Sequence, residues 1–245
     1  LRRPVPGETP KEFGLVDGLA STDTWGEVVK RYPTVALPRG LSESSPFVCI
    51  LDPATGTGTF LVTVVDTIFS TLKSRWDQEA KDVASEWNAW VPNYLLPRLS
   101  AFELMIASYA VAHLKMGLKL RELGYRPKAG ERANIFLTNA LEPAAEASLH
   151  LDIKALTDEV KAANEAKTRL AVTVVVGNPP YSGISKNTNV WIDGLLHGQH
   201  PPVEADNLGS YYCVDGKPLG EKKLWLQDDY VKFLRYAQYR LDTSG

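Results

Sequence analysis

Ile50-Leu51-Asp52-Pro53-Ala54-Thr55-Gly56-Thr57-Gly58-Thr59-Phe60 is the stretch that decides the fold. An apolar run over 47–51 meets the carboxylate of Asp52, turns at once through Gly56 and Gly58, and gives way to helical spacing over 60–72. Strand, Gly-rich turn and helix together form a cradle for a nucleoside, because only glycine lets backbone amides approach a ligand without a clashing β-carbon. The turn lacks the third glycine of a dinucleotide fingerprint, Phe60 standing in that stretch, and no Gly-Lys-Ser or Gly-Lys-Thr makes a phosphate loop. Asp52 would itself repel phosphate.

Outward from this point, strands alternate with helices. The pattern predicts a mainly parallel α/β sheet with helices on both faces, incomplete at both ends. A second strand over 99–102 ends at Glu103, and an amphipathic helix over 105–122 is stopped by Gly124. The stripe of Ile106, Ala110, Leu114 and Leu118 on that helix reads as core. Residues 76–96 interrupt the alternation with Trp76, Trp87, Trp90, Tyr94 and Leu95, an insertion expected to pack as a helix on the sheet edge. A third strand over 135–137 precedes a polar helix over 143–167, broken near Leu149. The β-branched run over 172–176 is of the kind buried centrally in a parallel sheet. From 183 to 223 the pattern dissolves into a loop of about forty residues, a length that points to function or disorder, and a last helix covers 226–241. Residues 1–45 form a Pro-rich segment with one short helix over 22–32, capped by Thr22 or Asp23, and 46–245 form the main domain.

A second signature, Gly177-Asn178-Pro179-Pro180-Tyr181-Ser182-Gly183, follows the run over 172–176. Asn178 Oδ1 and the Pro179 carbonyl offer paired acceptors, and Pro179 and Pro180 remove backbone donors and fix φ, so the acceptors stay aimed. Tyr181 supplies an aromatic plate beside them.

The order Asp-Pro-x-x-Gly-x-Gly-x-Phe, an acid after the next strand, then Asn-Pro-Pro-Tyr, resembles the gamma-type S-adenosylmethionine-dependent DNA amino-methyltransferases, which modify the exocyclic nitrogen of adenine. Phe13-Gly14-Leu15, Leu96-Pro97-Arg98-Leu99, Phe102-Glu103-Leu104-Met105 and Leu137-Thr138-Asn139-Ala140-Leu141-Glu142 extend the likeness over nearly the whole chain. With them it looks like the methyltransferase segment of the single-chain, helicase-coupled type ISP restriction-modification enzymes. The resemblance implies a Rossmann-like fold, S-adenosylmethionine as cofactor, and double-stranded DNA with a flipped adenine as partner. Nuclease, helicase and target-recognition segments are then expected in a longer polypeptide.

In this reading Asp52, Pro53, Ala54, Thr55, Gly56, Thr57, Gly58 and Phe60 line the cofactor. Asp52 suits the ammonium of its methionine part, and Thr57 or Thr59 adds a hydroxyl. Glu103 suits the ribose hydroxyls or, alternatively, the start of a helix, where the dipole favours an acid. Asn139 or Thr138 faces the cofactor's adenine, although the family's usual residue there is an acid and Asn139 equally suits a cap. Asn178, Pro179, Pro180 and Tyr181 form the catalytic set. An aromatic amine is a poor nucleophile, and acceptors that hold its hydrogens out of the ring plane favour the tetrahedral nitrogen formed in attack. The base must leave the helix at a cost of roughly a few kcal/mol, which stacking on Tyr181 offsets by about 1 to 3 kcal/mol. Two other readings remain open: a protein glutamine methyltransferase, whose first motif normally lacks the Pro and Phe seen here, and a binding module inactive as a fragment.

Bulk properties fit a piece of a cytoplasmic enzyme. The chain has 245 residues with 44% hydrophobic content, enough for one sizeable core, and no apolar run long enough to cross a bilayer. Leu1 is not an initiator, and no signal-peptide pattern precedes the folded part. Cys49, inside an apolar run, and Cys213, in a polar loop, make a disulfide framework improbable. With 27 basic and 29 acidic residues there is no broad field for phosphates. Lys115, Lys119, Arg121, Arg126 and Lys128, like Lys222 and Lys223, read as solvated faces, so most duplex grip is expected elsewhere. His197 and His200 lack the partners of a metal set. Tyr211, Tyr212, Trp225 and Tyr230 read as packing rather than as a nucleic-acid surface.

Overall fold

The structure, a computed structural model, describes residues 17–38, 40–144, 154–182, 185–199, 209–219 and 224–244. After a short helix α1 (Trp25–Arg31), the strands β1 (Ile50–Asp52), β2 (Leu99–Glu103), β3 (Asn134–Leu137) and β4 (Val174–Val175) form one parallel sheet in the order β3-β2-β1-β4. Alternate strand residues enter opposite cores, as two covered faces require. Ile50, Ala101 and Ile135 join the cluster under α2 (Thr59–Gln78), α3 (Val83–Trp90) and α4 (Ile106–Glu122). Leu51, Phe102 and Phe136 join the other, under α5 (Lys154–Arg169), α6 (Val190–Leu196) and α7 (Asp229–Ser244). The expected α/β architecture is present.

Several boundaries differ from the sequence expectation, each for a local reason. β1 starts at Ile50 rather than Phe47, because Phe47 N donates to Asp23 O (2.9 Å) and Pro46 bridges to Thr24, which commits 46–47 to the N-terminal segment. The cap of α1 is Thr24, not Thr22 or Asp23. Its hydroxyl accepts from Glu27 N while Glu27 Oε2 accepts from Thr24 N (2.7 Å), a capping box, and Asp23 pairs with Arg31 instead (3.1 Å). α2 runs on to Gln78 and takes in Trp76, so the insertion narrows to α3 and a π-turn over Val91–Leu95. There Trp87, Trp90 and Leu95 are buried, and the Arg98 guanidinium lies over Trp90 and Tyr94. The break expected near Leu149 lies outside the described residues.

Two expectations about burial are corrected. The Ile106, Ala110, Leu114, Leu118 stripe is not core: Leu114 is 62% exposed and Ile106 68%, while Ala112, Met116 and Leu120 face the sheet. The reason is a close approach, since a β-carbon on Gly58 would lie 3.2 Å from Ala112, and only a small residue there lets α4 reach the turn. Leu120→Ala is therefore expected to cost about 2 to 5 kcal/mol and Leu114→Ala no more than about 0.5, read as shifts in denaturation midpoint. The run over 172–176 is also not central. Among the described residues β4 is the outer strand beside β1, and Val174 and Val175 are only half-buried.

The stretch over 183–223 is not uniformly loop. Asn189 caps α6 by accepting from Ile192 N (3.1 Å), and β5 (Cys213–Val214) and β6 (Lys217–Pro218) make a small hairpin. Cys49 is half-buried and Cys213 exposed, and neither is in a disulfide.

Candidate active site

The order of strands reverses between β1 and β4, and a parallel sheet opens a crevice at the carboxyl ends of its strands where that happens. Both sequence signatures end there. The register that sets Leu51 beside Val175 brings Asp52 and Gly177 to one rim. A β-carbon on Gly177 would lie 2.8 Å from Asp52 Oδ1 and 3.6 Å from the Pro53 ring, so the two loops touch and glycine is required at the contact.

Asp52 is fully buried, and its Oδ1 accepts from Ala54 N (3.1 Å). Its Oδ2 has no hydrogen-bond partner among the described residues, and neither has the buried Thr55 Oγ1, which lies near enough to favour the carboxylate but outside hydrogen-bond geometry. Burial pushes the Asp52 carboxyl up to about 7; the Ala54 amide and Thr55 hydroxyl oppose the rise and the Glu103 charge adds to it. A buried acceptor without a donor fits an incoming ammonium.

The glycine turn is held from β2. Thr55 N donates to Phe102 O (3.0 Å) and Gly56 N to Glu103 Oε2 (2.8 Å), with Gly56 and Gly58 at positive φ of 55° and 78°. Glu103 Oε1 accepts from Met105 N (2.7 Å) at the start of α4. Glu103 thus braces backbone with both oxygens while lying at the rim beside Asp52. Thr57 and Phe60 are exposed at the mouth, and Thr59 accepts from Lys115 (3.2 Å).

Asn139 stands at the end of β3 with its side chain engaged. Its Oδ1 accepts from Leu141 N (3.0 Å), and its Nδ2 donates to Glu142 Oε1 (3.0 Å) and Asn187 Oδ1 (2.8 Å). Its Oδ1 closes a local turn, and no described helix starts there for it to cap. Lys167 Nζ reaches the Asn139 carbonyl (2.7 Å); burial pulls this ammonium down to about 8, against Glu142. Lys167 also lines a cavity of about 300 Å³ with Trp191, Tyr236 and Arg240, which contains none of the residues singled out above as cofactor-binding or catalytic.

Asn178 is exposed, and its amide has no hydrogen-bond partner among the described residues. Tyr181 is 73% exposed, with one ring face on Tyr230 at 4.8 Å and 14° and no other ring stacked on it among the described residues. Ser182 fixes the end of the loop, its hydroxyl donating to Asp229 Oδ2 (2.7 Å) at the start of α7. Sequence reading missed Asp229: it lies some fifty residues from the motif it holds, and no local spacing links them.

Of the remaining polar and aromatic groups, Tyr211 and Tyr212 pack as foreseen, whereas Trp225, expected to pack, is 77% exposed, and Lys119, expected on a solvated face, is largely covered. Lys119 pairs with Asp66 (3.3 Å) and Glu122 (3.0 Å), His197 stacks on Tyr212 (4.2 Å), and Tyr211 lies under Arg235 (4.8 Å). Lys222, Lys223 and His200 lie outside the described residues. No cluster of metal-binding side chains occurs among the described residues, nor a helix long and apolar enough to cross a membrane.

No protein-family model and no curated protein matches the chain. Among solved structures it is similar to a nuclease-deletion mutant of the Type ISP restriction-modification enzyme LlaGI in complex with a DNA substrate mimic. The identity is 22% and the TM-score 0.58, over 94% of this chain and 17% of that one. It is similar also to the ATP-dependent Type ISP restriction-modification enzyme LlaBIII bound to DNA, at 26% identity and TM-score 0.56 over 98% of this chain and 14% of that one. A DrdV–DNA complex gives 22% and 0.51 over 96% and 19%. The chain spans less than a fifth of each of these proteins. What it shares with them is the fold of one segment.

Proposed function

We propose that this chain is the methyl-transferring part of a restriction-modification enzyme, moving a methyl group from S-adenosylmethionine to the exocyclic amino group of adenine in DNA. The observation that carries the reading is the contact of Gly177 with Asp52, which joins a glycine-turn cradle to an Asn-Pro-Pro-Tyr loop. The DNA-bound restriction-modification enzymes of the same fold support the substrate class.

The cofactor supplies an electrophilic methyl on a sulfonium. Asp52 would hold the cofactor's ammonium with the oxygen that has no donor among the described residues, Glu103 would meet the ribose, and the turn over 55–58 would give room for the nucleoside. Asn178 Oδ1 and the Pro179 carbonyl accept the two amino hydrogens of adenine and free its lone pair for in-line attack. The Tyr181 face away from Tyr230 stacks on the extruded base, Tyr230 backing the other face. With the cofactor bound there, its sulfonium would give up the methyl to the amine, the S–C bond breaking as the N–C bond forms, and the amine's proton would pass to solvent. No residue need titrate near neutrality for this step.

Incubation of the full polypeptide with methyl-labelled S-adenosylmethionine and adenine-containing duplex tests the reading, with a protein carrying acceptor glutamines in the same tube. Label is expected on adenine N6. Label on the protein alone would transfer the reading to glutamine.

A further inference from the structure

Behind the Asn178 loop lies a polar cluster that the proposed chemistry does not use. Asp229, 8% exposed at the start of α7, accepts from Ser182 Oγ (2.7 Å) on one oxygen, and from Ser185 Oγ (2.5 Å) and Asn187 Nδ2 (2.8 Å) on the other. Lys232, one turn along and 1% exposed, donates to Ser185 Oγ (2.9 Å) and Asn187 O (2.5 Å). Asn187 completes a bridge, for its Oδ1 accepts from Asn139 Nδ2 (2.8 Å) at the end of β3.

We infer that Asp229 is a positioning residue, which with Lys232 locks the loop over 178–182 to the β3 loop through Ser182, Ser185, Asn187 and Asn139. The inference rests on the methyl-transfer reading, in which the first loop grips the amine and the second lies beside the cofactor. A carboxylate and an ammonium this buried are tolerated only where hydrogen bonds replace water. Here those bonds go to Ser182, Ser185 and Asn187, just past the Asn178 loop, and Asn187 alone passes the link on to Asn139 at the end of β3. Burial would raise the Asp229 carboxyl, but the bonds from Asn187, Ser185 and Ser182 and the Lys232 charge outweigh it and hold it below its ordinary value, so it stays an acceptor on both oxygens. The exposed Asn178 amide has no hydrogen-bond partner among the described residues. The fixed φ of Pro179 and Pro180 keeps the loop stiff, and its anchorage comes from behind.

Asp229→Asn in the full polypeptide keeps the volume and turns one acceptor into a donor facing donors. Three quantities are read: kcat for methyl transfer, KM for DNA, and amide exchange over 178–188. Because a misplacement of about 1 Å costs on the order of 100-fold, kcat should fall roughly 100-fold with KM for DNA within about threefold, and exchange should quicken over 178–188 but not in β1 or α2. Ser182→Ala and Ser185→Ala each remove one bond and should shift both readouts the same way by less; they carry the test if Asp229→Asn does not fold. Unchanged exchange over 178–188 in the folded variants overturns the inference whatever the activity. So does a kcat within threefold of wild type. A wild type that transfers no methyl, with exchange quickened in the variants, sinks the methyl-transfer reading while the lock stands.

Discussion

Asn178→Ala is expected to lower kcat for methyl transfer by about 100- to 1,000-fold, the size of loss seen when one preorganised polar group is removed from a reacting centre. The rest of the protein should hardly notice. Asn178 is exposed and bonds to no described residue, so its truncation should change stability by no more than about 0.5 kcal/mol. In the proposed site S-adenosylmethionine is held from β1 and β2, so its affinity should stay within about threefold. An effect made only in the transition state lowers kcat and kcat/KM together and leaves the ground state alone. Steady-state kinetics with titration calorimetry on the same variant separates these quantities. A drop in kcat below about fivefold would remove Asn178 from the reacting centre.

Asp52 should impose a second large effect, visible as a pH dependence. Its carboxyl, raised to about 7 by burial, must ionise to meet the cofactor's ammonium. Affinity for S-adenosylmethionine should therefore fall about tenfold for each pH unit below 7. It should fall again above roughly pH 8, where an α-amino group loses its proton. Asp52→Asn should bind at least about tenfold more weakly at pH 7.5 and lose the acid limb altogether. The sign for folding is the reverse. A carboxyl raised in the folded state adds stability that is full below its unfolded value near 4 and is gone once pH passes 7. Between those limits the free protein should lose stability as pH rises, and Asp52→Asn should flatten that descent in urea titrations. An acid limb that persists in Asp52→Asn would assign it to another group.

Periodicity alone does not settle which face of α4 meets the sheet. Ile106, Ala110, Leu114 and Leu118 recur at four-residue spacing, and so do Ala112, Met116 and Leu120, offset by half a turn. Both stripes satisfy the helical rule, and nothing in the spacing says which meets the sheet. The choice is made by Gly58, whose missing side chain admits Ala112, a contact more than fifty residues long. β4 shows the opposite failure. Its β-branched run predicts strand correctly, but rank within a sheet is set by which strands pair, not by the run itself.

Strand ends were the most legible part, because an apolar run that stops at an acid or a glycine marks both the strand and its functional rim. Asp52, Glu103 and Gly177 all stand where that rule puts them. α6 carried a signal that was overlooked. Asn189 precedes Val190-Trp191 with Ile192, Leu195 and Leu196 at helical spacing, but surrounding Gly, Pro and His masked it. The Asp229 bridge carried none, since it is assembled from three stretches far apart in the sequence, at Asn139, Ser182 to Asn187, and Asp229 with Lys232.

The central claim is that the Asp52 loop and the Asn178 loop make one site. An oligonucleotide whose target adenine N6 is tethered to the methionine end of a cofactor analogue tests it most directly, because it can engage both loops only if they converge. In the full polypeptide the joined compound should bind about 100-fold or more tighter than the cofactor analogue or the untethered DNA, the gain expected when a second contact becomes intramolecular. Asp52→Ala and Asn178→Ala should each erase most of that gain. A joined compound that binds no better than its stronger half would place the two loops in separate sites and contradict the account.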